Sequence, residues 1–420
     1  ANFGAMGEAA QGGGCLTIDT RDTSELLHAI TRMTTDPDLL EQLSKDASIR
    51  PITVWTDYAQ RFVELLDETG DPIKMQMGSI YYWVDHTVTY PKNTGIQRVV
   101  RSLARALLEN GYKVIPVKWD KDSNKFYSPS EKELHHLARW NGPQPSDWST
   151  WVDFAHATAN DWVLIPELVS DPIVNLKAVK NYVAINKIRC AWLFYDTIPW
   201  KMSADFPIHV SDAHRQYMEN LNEFELIFPI SHFSRRNLIS FLAALPCKMS
   251  NLENRILTCS LPGEFLESRR LTNIKQENLA TIKILCVGTI EPRKKHLVLL
   301  QAFSQVIAQT HRSVELIIVG GDPYPELAAQ VKHYIKTNPG VRWEKDVSDE
   351  NLSELYDSCD FTVYPSMEEG FGLPILESMW FAKPCICRNS GAMMEAAEEG
   401  GCLMVETTDP DALTDAMLRL

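Results

Sequence analysis

The segment Ile282-Lys-Ile-Leu-Cys-Val-Gly-Thr-Ile-Glu-Pro-Arg-Lys-Lys295 begins with a mainly apolar run and continues into a glycine turn. The composition of residues 282–287 predicts a strand, and the apolar spacing of residues 295–309 predicts a helix. A largely apolar strand that leads through a turn into a helix is typical of a parallel sheet covered on both faces. This stretch therefore indicates an α/β fold.

The same alternation of strands and helices continues on both sides of this segment. Further strands are predicted at 314–319, 361–364, 384–387 and 403–405, and an earlier set at 79–84, 113–119, 162–165, 190–195 and 226–230. Two such sets predict two Rossmann-like domains facing across a cleft, at residues 78–270 and 281–420. Residues 120–160, rich in Trp, Ser and Pro, predict an irregular insertion or a mobile loop. Ligands of open α/β sheets bind beyond the carboxyl ends of the strands.

Length and composition exclude several classes of protein. A chain of 420 residues is too long for one core, and 45% hydrophobic with 23% charged residues is ordinary for a globular protein. The net charge of −14 argues against a nucleic-acid-binding protein, which usually has a basic balance. No apolar run approaches the roughly 18 residues that span a bilayer, and the N-terminus lacks a signal-peptide pattern. We therefore expect a cytoplasmic protein.

The cysteines and the acidic motifs do not predict a metal site. The nine cysteines are scattered and mostly lie in apolar runs, which is typical of buried, reduced thiols. Cys385 and Cys387 have one residue between them and no second pair nearby, so a zinc site is not expected. Asp120-Lys-Asp122 matches a metal-binding motif by its letters only, without a following acidic cluster, and predicts a solvated turn.

A long-range repeat indicates a tandem protein. Residues 4–30 and 391–417 align without a gap and share 14 identities in 27 positions. The separation of 387 residues is far too long for a solenoid period and fits a whole two-domain unit. Residues 1–68 are therefore predicted to be the tail of a preceding unit. Two interpretations stay open: the chain is a fragment that lacks its own tail, or residues 31–66 pack where that tail belongs.

Three consecutive cations follow the strand at 282–287. Arg293 offers a planar fork of donors for phosphate oxygens, and Lys294 offers a compact positive charge. Cations are unfavourable at the positive end of a helix dipole, so a purely structural role for them is less attractive. Fixed at a strand end, they would stabilise the charge that a diphosphate leaving group gains. We expect Gly288, at the start of this turn, to line the same site.

A second motif, Glu369-Glu-Gly-Phe-Gly-Leu-Pro-Ile-Leu-Glu377, has carboxylates at both ends and follows the strand at 361–364. Its glycines let the backbone approach a ligand, and a helix that begins near Leu373 directs its N-terminus at a phosphate. Pro374 suits the first helical turn. Carboxylates on either side of such a helix start are suited to sugar hydroxyls. The two motifs together predict an enzyme that handles a nucleotide sugar.

These two motifs resemble the large family of retaining GT-B glycosyltransferases called family 4, and the repeat resembles tandem bacterial O-polysaccharide mannosyltransferases. The resemblance covers roughly residues 78–420. It implies that Arg293 and Lys294 bind the donor pyrophosphate, that Glu369 lies by the donor sugar, and that Glu377 binds the ribose. It also implies donor contacts from the backbone of Phe371, Gly372 and Leu373, and a base site near Asp346 and Val347.

The N-terminal domain matches the family less closely. Tyr195-Asp-Thr-Ile-Pro199 lies where many members have His-Asp, so no catalytic histidine is carried over and Asp196 inherits only a candidate role. A turn or cap role for Asp196 is the alternative. Gly95, in a turn that resembles the family's glycine loop, would let donor phosphate or acceptor approach. Asp85 and His86 lie just upstream and are candidates for the acceptor side.

The resemblance implies transfer of a hexose, by family likeness mannose from GDP-mannose, to a lipid-linked O-antigen glycan with retention. No metal or other cofactor is expected, because the cations do that work. No nucleic-acid partner is expected either. Contact with the inner face of the cell membrane would need a recruiting protein or a basic face such as Arg98, Arg101 and Arg105. The alternatives are a non-catalytic glycan-binding or scaffold unit, or another GT-B enzyme such as a sugar-nucleotide epimerase or a phosphorylase.

Overall fold

The computed structural model describes residues 38–68, 78–151, 154–169, 174–246, 251–265, 268–272, 281–310 and 312–419. The described residues form two compact units. The first unit consists of residues 53–262, and the second unit combines residues up to 52 with residues from 263 onward. Each unit is built on its own six-stranded sheet.

The sheet of the first unit has the order β3-β2-β1-β4-β5-β6. All neighbours in it are parallel except β3, which pairs antiparallel with β2 at the edge. The strands are β1 Ile80–Trp83, β2 Val114–Asp120, β3 Lys125–Tyr127, β4 Trp162–Ile165, β5 Arg189–Phe194 and β6 Leu226–Pro229. The helices are α2 Trp55–Glu68, α3 Gly95–Glu109, α4 Glu131–Leu137, α5 Leu176–Ile185, α6 Ile198–Lys201, α7 Ile208–Leu221, α8 His232–Ala243 and α9 Leu252–Arg255, while α1 Asp38–Ile49 belongs to the second unit.

The sheet of the second unit is parallel throughout, with the order β12-β11-β10-β7-β8-β9. Its strands are β7 Thr281–Val287, β8 Ser313–Val319, β9 Val341–Glu344, β10 Phe361–Tyr364, β11 Cys385–Arg388 and β12 Cys402–Val405. The helices that follow them are α10 His296–Gln309, α11 Pro325–Thr337, α12 Asp349–Ser358, α13 Leu373–Trp380, α14 Gly391–Ala397 and α15 Pro410–Arg419.

Both sheets reverse their strand order between the first and the fourth strand along the chain. In the first unit β1 lies between β2 and β4, and in the second unit β7 lies between β8 and β10. Strands β1, β4 and β10 are buried throughout, and β7 buries its three residues Ile284, Leu285 and Cys286, as is typical of parallel sheets with helices on both faces. Ligands of such sheets bind in the crevice where the order reverses, beyond the carboxyl ends of the strands. The α/β prediction with two Rossmann-like units is confirmed.

The prediction of an irregular insertion at residues 120–160 is wrong at β3 and α4, which are regular elements. Strand β3 pairs with β2 in the register Trp119↔Phe126. Helix α4 begins with a capping box, in which Ser130 and Glu133 bond reciprocally to each other's backbone N–H groups. Phe126 and Phe154 are buried in the core and stack on each other at 5.4 Å. Aromatic packing of Phe126 and Phe154 therefore orders part of this segment.

Residues 38–68 pack on the described core, and each helix does so in its own unit. In the second unit, Arg50 at the end of α1 is buried and donates to Glu399 Oε2 (3.2 Å) and to the carbonyl of Gly400 (3.1 Å). In the first unit, α2 packs along α3, and Asn110 donates to the carbonyl of Thr56. The predicted boundaries at 78–270 therefore shift to 53–262. The origin of residues 1–68 in a preceding unit stays a prediction, and the repeat at 4–30 lies outside the described residues.

Replacement of Phe62 tests whether α2 is part of the core of the first unit. Its side chain is fully buried, and its ring lies 4.6 Å from that of Phe228 at the end of β6. We expect Phe62→Ala to destabilise the first unit by about 3–5 kcal/mol, because a large cavity is left behind. Hydrogen exchange of β6 amides measures the change. Arg61→Ala, on the exposed face of the same helix, should change it by less than about 0.5 kcal/mol.

Candidate functional site

Two loops of the second unit meet where its strand order reverses. The first follows β7 and contains a short 3₁₀ turn, Pro292–Lys294, before Lys295 adopts a left-handed conformation (φ 51°) and α10 begins. The second follows β10 and contains Glu369. The backbone N–H of Met367 donates to the carbonyl of Arg293 at 2.7 Å, which ties the two loops together. The sequence motifs predicted separately therefore form one site.

The Glu369 carboxylate is the centre of this site, and its Oε1 accepts three hydrogen bonds. The donors are Arg293 Nη1 at 2.7 Å, Lys294 Nζ at 2.5 Å and Ser366 Oγ at 2.6 Å. The other arm of Arg293 pairs with Glu291 Oε1 at 2.7 Å. We call Glu291, Arg293, Lys294 and Glu369 the charge cluster. Its two cations face two carboxylates, so its formal charge is zero.

Burial and mutual attraction set the protonation of the charge cluster. Burial alone would raise the pKa of Glu369, but the charges of Arg293 and Lys294 outweigh it and hold that pKa well below its usual range. Burial lowers the pKa of Lys294, with Glu369 opposing the change. The Lys294 ammonium also donates to the hydroxyl of Tyr364 at 2.6 Å and lies 4.6 Å from the centre of its ring. The cluster therefore holds fixed charges in a largely water-excluded place.

Gly288 follows β7 and lies beside the Lys294 side chain, and its donor-binding role stays a prediction. A Cβ atom on it would meet the stem of Lys294 at 3.6 Å, which is ordinary contact. Gly320, at the end of β8, lies much closer to this backbone. A Cβ atom on Gly320 would lie 2.2 Å from the carbonyl oxygen of Gly288, and its φ of +152° is unusual for other residues. The close approach of the two loops therefore requires glycine at position 320.

The N-terminus of α13 lies on the same edge of the sheet as the charge cluster. Its N-cap is Gly372 with φ 114°, and no side chain caps the helix. Leu373 and Pro374 form the first turn, and Phe371 is buried before it. Such a helix start presents backbone N–H groups and the positive end of the dipole to an anion. The donor contacts predicted for Phe371, Gly372 and Leu373 stay a prediction.

Glu377 and Val347 lie in the second unit, after β10 and β9 respectively. Glu377 is buried on α13, and its Oε2 accepts a hydrogen bond from the Tyr356 hydroxyl at 2.8 Å. Val347 is partly buried and follows β9, directly after Asp346 with its left-handed φ of 51°. Glu377 follows a strand that the sequence predicted, whereas the strand before Val347 was not predicted. Their roles at the ribose and the base stay predictions.

In the first unit, the predicted residues follow two strands, β1 and β5, which have β4 between them in the sheet. Gly95 is the first residue of α3, and Thr94 directly before it is the N-cap residue. Asp196 follows β5, and its Oδ1 accepts the backbone N–H of Ile198 at 2.8 Å, a turn-forming bond. Tyr195 is buried and donates to the carbonyl of Pro166 at 2.6 Å. The structure thus shows a turn-forming bond for Asp196, and its catalytic role stays a prediction.

The basic face predicted on α3 is wrong for Arg101. This side chain is 1% exposed. Its guanidinium donates to Asn93 Oδ1 at 3.1 Å and to the carbonyl of Leu137 at 3.2 Å, and lies 4.7 Å from the centre of the Trp140 ring. Arg105 pairs with Glu109 on its own helix at 2.8 Å. Arg101 therefore fixes the loop before α3 and is not available to a membrane surface.

Four residues near these sites were not predicted from the sequence. Glu291 and Ser366 lie within three residues of predicted site residues, and Tyr364 is the last residue of a predicted strand. The local sequence could therefore have indicated all three. For Glu167, the only indication in the sequence was that it follows a predicted strand. Its carboxylate is buried and accepts the backbone N–H groups of His86 (2.8 Å) and Thr87 (2.6 Å), about 80 residues away along the chain. Burial raises the pKa of Glu167 to about 7.

This raised pKa makes the stability of the first unit depend on pH. The Glu167 carboxyl titrates near 4.5 when unperturbed and at about 7 in the folded unit. Between these values the folded state binds more protons, so stability falls as pH rises, by about 3 kcal/mol at most. We expect hydrogen exchange of β1 amides to report this loss between about pH 5 and pH 7.5. Glu167→Gln should flatten the dependence, and an unchanged slope in that variant would contradict the assignment.

Two features are absent from the part of the chain that the structure describes. No helix there is long and apolar enough to cross a bilayer. No group of three or more His, Cys, Asp or Glu side chains there is arranged to hold a metal ion. The expectation that the site needs no metal stays a prediction.

Residues 281–420 match the family model described as Glycosyl transferases group 1. These residues therefore form a glycosyl transferases group 1 domain, and the fold is that of a GT-B glycosyltransferase. The Escherichia coli protein named Serotype-specific mannosyltransferase WbdA is 26% identical over 328 residues, covering 73% of this chain and 38% of that protein. The E. coli O-antigen chain mannosyltransferase B is 32% identical over 208 residues, covering 48% of this chain and 52% of that protein. The chain is homologous to these mannosyltransferases and spans about half of their length or less.

Solved structures share the fold at low sequence identity. A sucrose-phosphate synthase from Thermosynechococcus elongatus superposes with a TM-score of 0.54 at 16% identity, covering 81% of this chain and 89% of that one. Anabaena HepE in complex with UDP and glucose superposes with a TM-score of 0.52 at 14% identity, with the same coverage. The fold in which the charge cluster lies, at the reversal of strand order, is therefore one that solved structures share.

Proposed function

We propose that this chain is a hexosyltransferase that moves mannose from GDP-mannose to a growing lipid-linked O-antigen glycan, with retention of configuration. The observation that carries the proposal is the charge cluster, which joins two separate motifs where the strand order of the group 1 domain reverses. Homology to O-antigen mannosyltransferases supports the sugar and the acceptor class. UDP and glucose, named with the HepE structure, support a nucleotide-sugar donor in general.

The charge cluster suits a diphosphate leaving group. As the glycosidic bond breaks, negative charge accumulates on the diphosphate. Arg293 and Lys294 are already fixed by their carboxylate partners, so they need little reorganisation to stabilise that charge. The N-terminus of α13 adds backbone donors on the same edge of the sheet. These groups perform the task of a divalent cation, and no metal is required.

The remaining residues of the second unit would hold the sugar nucleotide. Glu369 would exchange part of its bonding to Lys294 and Arg293 for hydroxyls of the donor sugar. Glu377 would bind the ribose, and the segment at Val347 would lie by the base. In a front-face displacement, the acceptor hydroxyl attacks C1 on the side that the diphosphate leaves. The new C–O bond forms as the old one breaks, and the leaving phosphate takes the hydroxyl proton.

The test is a panel of nucleotide sugars with one defined mannose-terminated acceptor, read by mass spectrometry and NMR. We expect transfer from GDP-mannose, an α-linkage in the product, and an unchanged rate in EDTA. Binding of glycan with no transfer from any donor would favour the scaffold alternative. Turnover of the donor without an acceptor, or only with free phosphate, would favour an epimerase or a phosphorylase. Any of these three results overturns the proposal.

The lipid carrier places this activity at the cytoplasmic face of the membrane, which is also part of the proposal. Arg101 is buried, so the basic surface on α3 is reduced to Arg98 and Arg105, and Arg105 already pairs with Glu109. With a net charge of −14, binding to anionic lipid is electrostatically unfavourable. A recruiting protein therefore explains membrane attachment better than direct lipid binding does.

A further inference from the structure

We propose that His86 binds a hydroxyl of the acceptor glycan as a hydrogen-bond donor, and that Gln97 and Glu167 are the residues that position it. This inference rests on the proposed function and adds the acceptor subsite of the first unit. Nothing in the family match bears on it, because that match covers residues 281–420 only.

His86 lies where the strand order of the first unit reverses. His86 follows β1, and Glu167 follows β4, the two strands between which the order of the first unit reverses. Glu369 of the second unit follows β10 and bonds to residues that follow β7, which is the equivalent pair of strands. In each unit a buried carboxylate after the fourth strand thus ties down the loop after the first. Ligands bind at this place in open α/β sheets.

The backbone of His86 is held rigidly. Glu167 Oε2 and Oε1 accept the N–H groups of His86 and Thr87 at 2.8 and 2.6 Å. The carbonyl of His86 accepts the N–H of Tyr90 at 3.0 Å, which closes a turn. Asp85, just before it, accepts the N–H of Trp119. Burying a carboxylate costs free energy. A surface side chain without a binding role would not require such a group to hold its backbone.

The imidazole of His86 is held in one orientation and one tautomer. Thr94 donates its hydroxyl proton to Gln97 Oε1, so the amide nitrogen of Gln97 is left to meet His86 Nδ1, at 3.1 Å. Nδ1 therefore accepts, and the proton of the neutral ring is on Nε2. Gln97 is itself 3% exposed, so this arrangement is buried and fixed. Partial burial lowers the pKa of His86, which keeps the ring neutral.

The Nε2–H group is the part of His86 that is directed away from these partners. One face of the ring lies against Tyr90, with 4.6 Å between the ring centres, and the residue as a whole is exposed. Tyr90 is in turn fixed by its carbonyl, 2.8 Å from His136 Nε2. Among the described residues, nothing accepts a hydrogen bond from Nε2. A neutral, oriented N–H donor beside an aromatic ring suits a sugar hydroxyl, and its occupied Nδ1 makes it unsuited to act as a base.

The test compares substitutions of His86 in the full chain by steady-state kinetics with acceptor and donor varied separately. His86→Phe keeps the ring against Tyr90 and removes the donor, so we expect the acceptor KM to rise about tenfold and the donor KM by less than twofold. His86→Gln retains an N–H near the place of Nε2 and should recover most of the acceptor affinity. Glu167→Gln, which sets an amide N–H against a backbone N–H, should raise the acceptor KM in the same selective way.

His135→Phe, on the exposed face of α4, is the matched control and should change neither KM. An acceptor KM for His86→Phe equal to that of the wild type overturns the inference while the proposed function stands. Equal increases in both KM values show a merely structural role and also overturn it. Absence of transfer by the wild type from every donor overturns both. If His86→Phe does not fold, the acceptor KM of His86→Gln against His86→Ala decides the question.

Discussion

Glu369→Gln should reduce the rate of sugar transfer at least 100-fold and also destabilise the second unit by about 3–5 kcal/mol. The substitution keeps the size of the side chain and removes its charge. Arg293 and Lys294 would then be buried cations that have lost their shared carboxylate, whose Oε1 accepts both at 2.7 and 2.5 Å. Their repulsion would displace the groups that stabilise the leaving diphosphate. Single-turnover kinetics measure the transfer, and hydrogen exchange of β10 amides measures the stability.

Glu368→Gln makes the same chemical change one residue earlier and is the matched control. Residue 368 takes part in the site through its backbone carbonyl, which accepts from Arg293 Nη1 at 2.8 Å. That bond survives the substitution, so the rate should stay within about twofold of the wild type. If Glu369→Gln transfers as fast as Glu368→Gln, the charge cluster is not the donor site.

Gly320→Ala should destabilise the second unit by more than about 3 kcal/mol and weaken donor binding. The added Cβ atom would lie 2.2 Å from the carbonyl oxygen of Gly288 and 3.0 Å from the N of Thr289. Both are backbone atoms, so a side-chain rotation cannot relieve the contact. The loop that carries Arg293 and Lys294 would have to move away from β8. Hydrogen exchange of β7 and β8 amides and a titration with GDP measure the two effects.

Gly111→Ala is the control for the backbone conformation alone. Gly111 has φ +81°, and a Cβ atom on it would meet nothing within 4 Å. Its replacement should therefore cost only the strain of a left-handed alanine, about 1–2 kcal/mol. Equal losses for the two variants would show that the close approach of the Gly288 and Gly320 backbones is not important for stability.

The strands that define the fold were predictable because they are apolar and buried on both faces. Strands β4 and β10 occupy the predicted ranges 162–165 and 361–364. Strand β9 was missed, since Val-Arg-Trp-Glu is short, charged and buried mainly at Val341. Strand β3 was missed for a similar reason, because only Phe126 of its three residues is buried. Edge strands have one neighbour and little core, so the sequence carries a weak signal for them.

The same distinction applies to the candidate site. Residues in local motifs were predictable, and contacts between residues far apart in the sequence were not. Arg293, Lys294 and Glu369 were predicted because each lies in a glycine-containing turn after an obvious strand. The contact between Glu167 and His86 joins residues that are 81 positions apart in the sequence, so no local sequence pattern predicts it. The burial of Arg101 was also unpredictable, since its partners Asn93 and Leu137 lie in a loop and at the end of a helix that was not foreseen.

The zero formal charge of the charge cluster means that the resting site carries its own counter-ions. In the proposed reaction, binding of the donor would be an exchange, in which phosphate oxygens take over bonds that Glu291 and Glu369 make to Arg293 and Lys294. A simple anion such as sulfate or chloride gains little from this exchange, because it must displace a carboxylate that is already ideally placed. Only a ligand that also brings a sugar and a ribose compensates the loss. Under the proposed function, the site would thereby select against inorganic anions without having to close.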